Sequence, residues 1–370
     1  MTRNERSDAL HGAVRSFAAG ESSRSFDDLA LEIADFQRDF SSGFARLVAA
    51  HGAPPSRAEA IPGVPCDAFR LARVAVHPEA EDCLRFATSG TTSGARGMHV
   101  MRTAETYRAL ALSFGRQALL SDQETTARRV VALAPRLDAP PTSSLGYMMA
   151  MFMVDFAQQD DKQAEHWLID EHGVDVAGLT RVGQAALEAG EPLVLLATSF
   201  ALVSLLDALE GKKLCVPEAT VVMQTGGFKG KTREIAPVEL RSMVAQCFGI
   251  SELQVVSEYG MTELTSQLYE ATLPGSALQA ARRGAAGVYF EPPWLRVVPV
   301  DPTTLEAVAP GEIGIARIVD LGNVDSAIAI QTQDRVRRVA GGIELLGRAP
   351  GAPPRGCSLA VEEFLAAHPS

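Results

Sequence analysis

Short apolar runs recur along the chain with helical patterns between them, and this alternation restricts the fold more than any other feature. Residues 129–134, 192–197, 219–223 and 253–257 are rich in Val, Leu and Ala and have the length of buried strands. Helix-like segments lie between them, including 199–209 and 237–248. The second begins at Pro237, which is tolerated because the first helical turn does not use its missing N–H. Residues 145–154 read as a Met-rich core helix. The order predicts an α/β fold of layered units. After Tyr289 the texture changes to 295–300, 311–319 and 334–339, with turn residues between them. That pattern predicts a smaller β-rich subdomain, antiparallel or barrel-like, over about 289–346. Residues 349–356, Ala-Pro-Gly-Ala-Pro-Pro-Arg-Gly, exclude regular helix and central strand, because proline lacks the N–H and fixes φ. They predict an extended connector.

A chain of 370 residues can form one large domain or two medium ones. Its 34 Lys and Arg against 45 Asp and Glu give a net charge of −11, which argues against general affinity for nucleic acid or anionic membrane. The first residues, Met1-Thr-Arg-Asn-Glu-Arg, are too polar for a secretory signal. No apolar run reaches the roughly 20 residues that span a bilayer, so membrane insertion is not expected. Cys66, Cys83, Cys215, Cys247 and Cys357 are odd in number and contain no Cys-x-x-Cys pair. Neither a disulfide framework nor a zinc ribbon is indicated, and a reduced cytoplasmic protein is expected.

Two distant segments carry the chemistry. Thr88-Ser-Gly-Thr-Thr-Ser-Gly94 combines hydroxyls with glycines, a composition that lets backbone N–H groups close on phosphate oxygens. Such a loop alone is more often an ordinary turn. It is not a P-loop, since no Gly-Lys-Thr or Gly-Lys-Ser follows, and Ala87 and Thr91 break the Gly-x-Ser-x-Gly pattern of a nucleophile elbow. The second segment, Ser257-Glu-Tyr-Gly-Met-Thr-Glu-Leu264, ends a predicted strand with an aromatic, a glycine, a hydroxyl and a carboxylate. An aromatic can stack on a purine, and a carboxylate beside phosphates can hold a divalent cation. Without its partner, the same run reads as a strand end followed by a capped helix. Together the two segments point to ATP chemistry.

The pair, with Gly226-Gly-Phe-Lys-Gly230, Ser266-Gln267 and Arg355-Gly-Cys-Ser-Leu359 in the same order, resembles the adenylate-forming superfamily of acyl-CoA synthetases, firefly-type luciferases and peptide-synthetase adenylation domains. Within it the chain is most similar to the acyl-protein synthetases, the long-chain fatty acid ligases of bacterial bioluminescence operons. The resemblance runs from about residue 86 to 359, and residues 1–80 carry no motif. It implies that Thr88, Ser89, Gly90, Thr91 and Thr92 wrap phosphate, with Ser93 where many relatives have glycine and Arg96 near their usual lysine. It further implies that Tyr259 stacks on adenine beside Gly260 and Met261, that Thr262 binds phosphate, and that Glu263 coordinates Mg²⁺. Gly226 and Gly227 would line the adenine and acyl sites, with Lys229 near phosphate. His99 would lie near the acyl group. Asp334, in Gln331-Thr-Gln-Asp334, would accept bonds from the ribose hydroxyls, although Gln333 replaces the usual glycine. Gly347-Arg348 matches the pair that precedes the hinge in larger relatives, with Arg348 on the nucleotide side.

Those relatives continue into a mobile domain of roughly 100 residues that bears a catalytic lysine. This sequence ends at Ser370 and has no lysine after Lys231, so residues 1–346 are expected to form the adenylating domain and 347–370 a short arm in place of the mobile domain. Cys357, near Arg355, then becomes the candidate acyl acceptor; the plain alternative is a buried apolar cysteine. The expected activity uses ATP and Mg²⁺ to convert a carboxylic acid, in this resemblance a fatty acid, into an acyl adenylate by positioning and charge neutralisation. A thiol then displaces AMP, and an acyl reductase or carrier protein is the next recipient. Two alternatives stay open. One is a CoA ligase or adenylating enzyme for an aromatic or other non-lipid acid, and the other is a non-catalytic protein that binds AMP or acyl groups.

Overall fold

The computed structural model describes residues 1–88, 97–121, 127–137, 140–157, 164–226, 235–282 and 284–349. The chain opens with three helices, α1 (Arg3–Ala18), α2 (Phe26–Phe40) and α3 (Ser42–Ala50). Capping boxes start the first two: Thr2 with Glu5, and Ser25 with Asp28. After β1 (Val64–Pro65) and the short α4 (Ala68–Leu71), the antiparallel pair β2 (Leu84–Ala87) and β3 (Met98–Met101) flanks residues 89–96. Next come α5 (Glu105–Leu119), β4 (Arg129–Pro135), α6 (Ser144–Ala157), β5 (Trp167–Asp170), β6 (Gly173–Val174), α7 (Val176–Ala189), β7 (Leu193–Thr198), α8 (Ser199–Leu209), β8 (Val221–Thr225), α9 (Pro237–Phe248) and β9 (Val255–Tyr259). The remainder is β10 (Leu268–Glu270), α10 (Ala277–Arg282), β11 (Val288–Phe290), β12 (Leu295–Val300), β13 (Ile313–Asp320), β14 (Ala329–Val339) and β15 (Gly342–Arg348).

Among the described residues one sheet runs β12-β13-β14-β15-β11-β10-β9-β8-β7-β4-β5-β6, with β1 paired to β14. Its β5-β4-β7-β8-β9 centre is parallel, as strands linked by helical crossovers must be. From β9 through β10, β11 and β15 to β12 every pairing is antiparallel, so the strands after Tyr289 extend the same sheet. Helices cover both faces of the parallel part. Val130, Ala132, Val194, Leu196, Met223 and Val256 join one core, which also holds residues of α1, α2, α5 and α6. Val131, Leu133, Leu195, Val222 and Val255 join the other, with α7, α8 and α9. This two-sided burial explains why these strands read as continuous apolar runs. The Met-rich segment lies within α6, with residues 148–153 buried. Among the described residues no helix is long and apolar enough to cross a membrane.

Candidate active site

Loops at the carboxyl ends of parallel strands are where open α/β sheets bind ligands, and the described motif residues gather there. Strand β8 ends at Thr225, and Gly226 follows with φ +71°, a conformation that suits glycine. The Ser199 hydroxyl at the start of α8 donates to the Gly226 carbonyl at 2.7 Å. Strand β9 ends at Tyr259. The Tyr259 hydroxyl donates to Asp334 Oδ2 at 2.7 Å, and Arg348, the register partner of Asp334 on β15, lies 3.6 Å from Oδ1. Burial, followed by the Asp334 carboxylate, holds the Tyr259 phenol well above its ordinary pKa, so it remains a donor. Three residues separated by up to 89 positions in sequence therefore meet at one corner. Cys66, half-buried, sits beside them: burial and then the Glu263 and Asp334 carboxylates push its thiol up.

The turn after Tyr259 is held from several sides. Thr262 shares a hydroxyl contact of 3.3 Å with Ser144 at the start of α6. Its carbonyl accepts from His99 Nδ1 at 2.6 Å, and the other ring nitrogen accepts from the Ser326 hydroxyl at 3.0 Å. Burial drives the pKa of His99 down to about 4, so the ring is neutral near pH 7 with both nitrogens engaged. His99 thus fixes the backbone of the turn. Glu263, 8% exposed, has its carbonyl held by Asn323 Nδ2 at 3.0 Å. Asp320 accepts from the backbone N–H groups of Thr265 and Ser266 and from the Ser266 hydroxyl, at 2.7–2.9 Å. Burial raises the pKa of Asp320 despite these donors. Gly322 allows the approach, because a Cβ there would meet Thr265 at 2.7 Å and Leu110 at 2.8 Å.

Glu258 is the site residue that sequence reasoning passed over. It is register partner to Thr225 on β8 and to Tyr269 on β10, faces the core shared with α5 and α6, and accepts a hydrogen bond from the Thr225 hydroxyl. Burial raises its pKa to about 7. Nearby, the Tyr269 hydroxyl and Gln267 Oε1 are buried without a hydrogen-bond partner among the described residues. The position of Glu258 inside the Ser257–Leu264 run was the available signal. Asp320, Asn323 and Ser326 were also missed; their cue was the cluster Asp320-Leu-Gly-Asn-Val-Asp-Ser326, a turn composition between strands. Thr88 closes the base of its loop, its backbone N–H and side-chain oxygen both bonded to Gly97 at 2.8 and 2.9 Å. Ser89, Gly90, Thr91, Thr92, Ser93, Arg96, Gly227, Lys229 and Cys357 lie outside the described residues.

No known family's sequence profile matches the chain, and no curated protein matches it. Solved structures do match. One is 2-hydroxyisobutyryl-CoA ligase in an open conformation with 2-HIB-AMP and CoA, at TM-score 0.59 and 12% identity, covering 87% of this chain and 74% of that one. Another, O-succinylbenzoate coenzyme A synthetase from Bacillus subtilis with ATP and magnesium ion, has TM-score 0.44 and 17% identity, covering 71% of this chain and 49% of that one. The first match shows that the mixed α/β fold is shared with that ligase. At such identities the likeness extends to the fold alone.

Proposed function

We propose that the protein activates a carboxylic acid with ATP and passes the acyl group to a thiol. The acid's carboxylate attacks the α-phosphorus, the bond to the bridging oxygen breaks, and pyrophosphate leaves. A thiolate sulfur then attacks the acyl carbon and AMP departs with the bonding electrons. The observation that carries this reading is the meeting of Tyr259, Asp334 and Arg348 beside the Thr262–Glu263 turn, at the strand ends of a fold shared with a ligase bound to an acyl-AMP and CoA. Tyr259 offers a ring for adenine, and Asp334 offers a carboxylate for the ribose hydroxyls. The Thr262 hydroxyl can donate to a phosphate oxygen, and the Glu263 carboxylate is a hard oxygen donor suited to Mg²⁺. Among the described residues no group of three or more His, Cys, Asp or Glu is placed to hold a metal. That fits a cation held by one carboxylate together with substrate phosphates, which it would neutralise.

The resemblance supplies the finer reading: a fatty acid as substrate, Cys357 as acceptor, and an acyl reductase or carrier protein as next recipient; the scattered cysteines without a Cys-x-x-Cys pair support a cytoplasmic setting. One observation favours a second reading, an aromatic or other non-lipid acid. Glu258, Gln267 and Tyr269 place polar groups in the core beside the turn, and an alkyl chain cannot satisfy buried polar atoms. ATP–pyrophosphate exchange over a panel of fatty, aromatic and hydroxy acids tests the proposal. Exchange with one class names the substrate, and AMP binding without exchange for any acid would instead support a binding protein.

A further inference from the structure

Helices α1 and α2 carry no recognisable motif, yet they hold the segment that in turn holds the Thr262–Ser266 turn. From α1, the Ser7 hydroxyl donates to Asp325 Oδ1 at 2.6 Å and His11 Nε2 donates to Oδ2 at 2.8 Å. His11 Nδ1 meets the Thr106 hydroxyl at 2.9 Å, and Arg102 Nε lies 3.6 Å from Asp325. From α2, buried Gln37 donates to the carbonyls of Asn323 and Val324 at 2.7 and 2.9 Å and accepts from the Ile328 N–H at 3.0 Å. On its opposite side the segment reaches the turn through Asn323 and through Ser326 and His99. His11, His99, Asp325 and Ser326 all line one small pocket of about 10 Å³, so the two halves of the network face each other.

We propose that Asp325 and Ser326 are positioning residues for adenylation. Asp325 anchors the segment to α1, and Ser326 passes that placement through His99 to the Thr262 carbonyl, fixing Thr262 and Glu263 relative to the phosphates. Neutral His99 suits the task, since it donates from Nδ1 to a carbonyl and accepts at Nε2. The proposal rests on reading the 260–263 turn as the ATP site.

Ser326→Ala deletes the bond to His99, whereas Ser326→Thr retains a hydroxyl. In pyrophosphate exchange, Ser326→Ala should lower kcat about tenfold, the size expected for an unpaired buried ring nitrogen. The ATP Kd should stay within about twofold, since the positioned groups act on the reacting phosphates, and Ser326→Thr should recover most of the rate. Wild-type turnover in Ser326→Ala, an equal loss in Ser326→Thr, or a loss confined to KM would overturn the positioning role. Amide hydrogen exchange supplies a readout independent of activity. Amides of residues 260–268 should exchange faster in Ser326→Ala and in the milder Ser7→Ala, which serves if the first variant does not fold. Unchanged protection in both would sink the coupling of α1 to the turn. Absence of exchange activity in the wild type with every acid would overturn the adenylation reading, and the catalytic claim with it, while the amide data still decide the coupling.

Discussion

Glu258 and Glu263, five residues apart, place two carboxylates in different surroundings and give opposite experiments. Burial raises the pKa of Glu258 from 4.5 to about 7, so between those values the folded protein keeps a proton that the unfolded chain has released. Its stabilising contribution is therefore complete below about pH 4.5 and is lost as pH rises through about 7. The loss is on the order of 3 kcal/mol. Urea midpoints at pH 5 and pH 8 should show this fall in the wild type and a much smaller one in Glu258→Gln; parallel profiles would refute the assignment. Glu263→Gln should abolish Mg²⁺-dependent pyrophosphate exchange with an unchanged thermal melt, because a neutral amide holds a hard cation poorly. Normal exchange in that variant would remove Glu263 from the metal. Tyr259 and Glu263 were singled out in the sequence because an aromatic and a carboxylate stand out at the end of an apolar strand, and Asp334 was singled out through the resemblance alone; the fold brings Tyr259 and Asp334 into hydrogen-bond contact. Glu258 was not singled out, since its burial comes from Thr225 and Tyr269 on neighbouring strands, which only strand pairing brings to it.

The elements were readable in proportion to how locally they are determined. Helices α8 and α9 occupy the predicted spans, because each pairs an apolar face with clear local start or stop signals: Thr198 caps α8, while Pro237 opens α9 and Gly249 ends it. The central strands appear where expected, although β8 and β9 each begin and end two residues later than predicted, which carries Tyr259 into the strand. Strands β10 and β11, of three residues each, leave no periodic trace; they exist because β9 and β15 offer open edges. The 320–326 segment is likewise fixed by what it touches. Gly322→Val would drive side-chain atoms into Thr265 and Leu110 and should cost about 1–3 kcal/mol, the usual size of overpacking. Urea denaturation measures that loss, and a neutral result would show that the segment can retreat from the turn.

Across the molecule, one prediction concerns the acceptor. Incubation with ATP, Mg²⁺ and the correct acid should add a single acyl group that neutral hydroxylamine releases, and Cys357→Ser should form acyl adenylate but no stable thioester. Labelled acyl retained by that variant, or a wild type that adenylates yet is never acylated, would redirect the search to CoA or a carrier thiol. The bonds from Ser7 and Gln37 to the 323–325 segment link positions 318 and 286 residues apart, and this has a consequence for biogenesis. At roughly 5–20 residues per second, a ribosome delivers the first two helices about 15–60 s before their partners are made. During that interval Leu29, Ile33 and Phe36, all fully buried in the finished protein, lack the late residues, Val324 and Ile328 among them, that share their core. The newborn chain is thus a natural client for chaperones that shield apolar surface, and nucleotide binding should emerge only after Asp334 and Arg348 have left the exit tunnel.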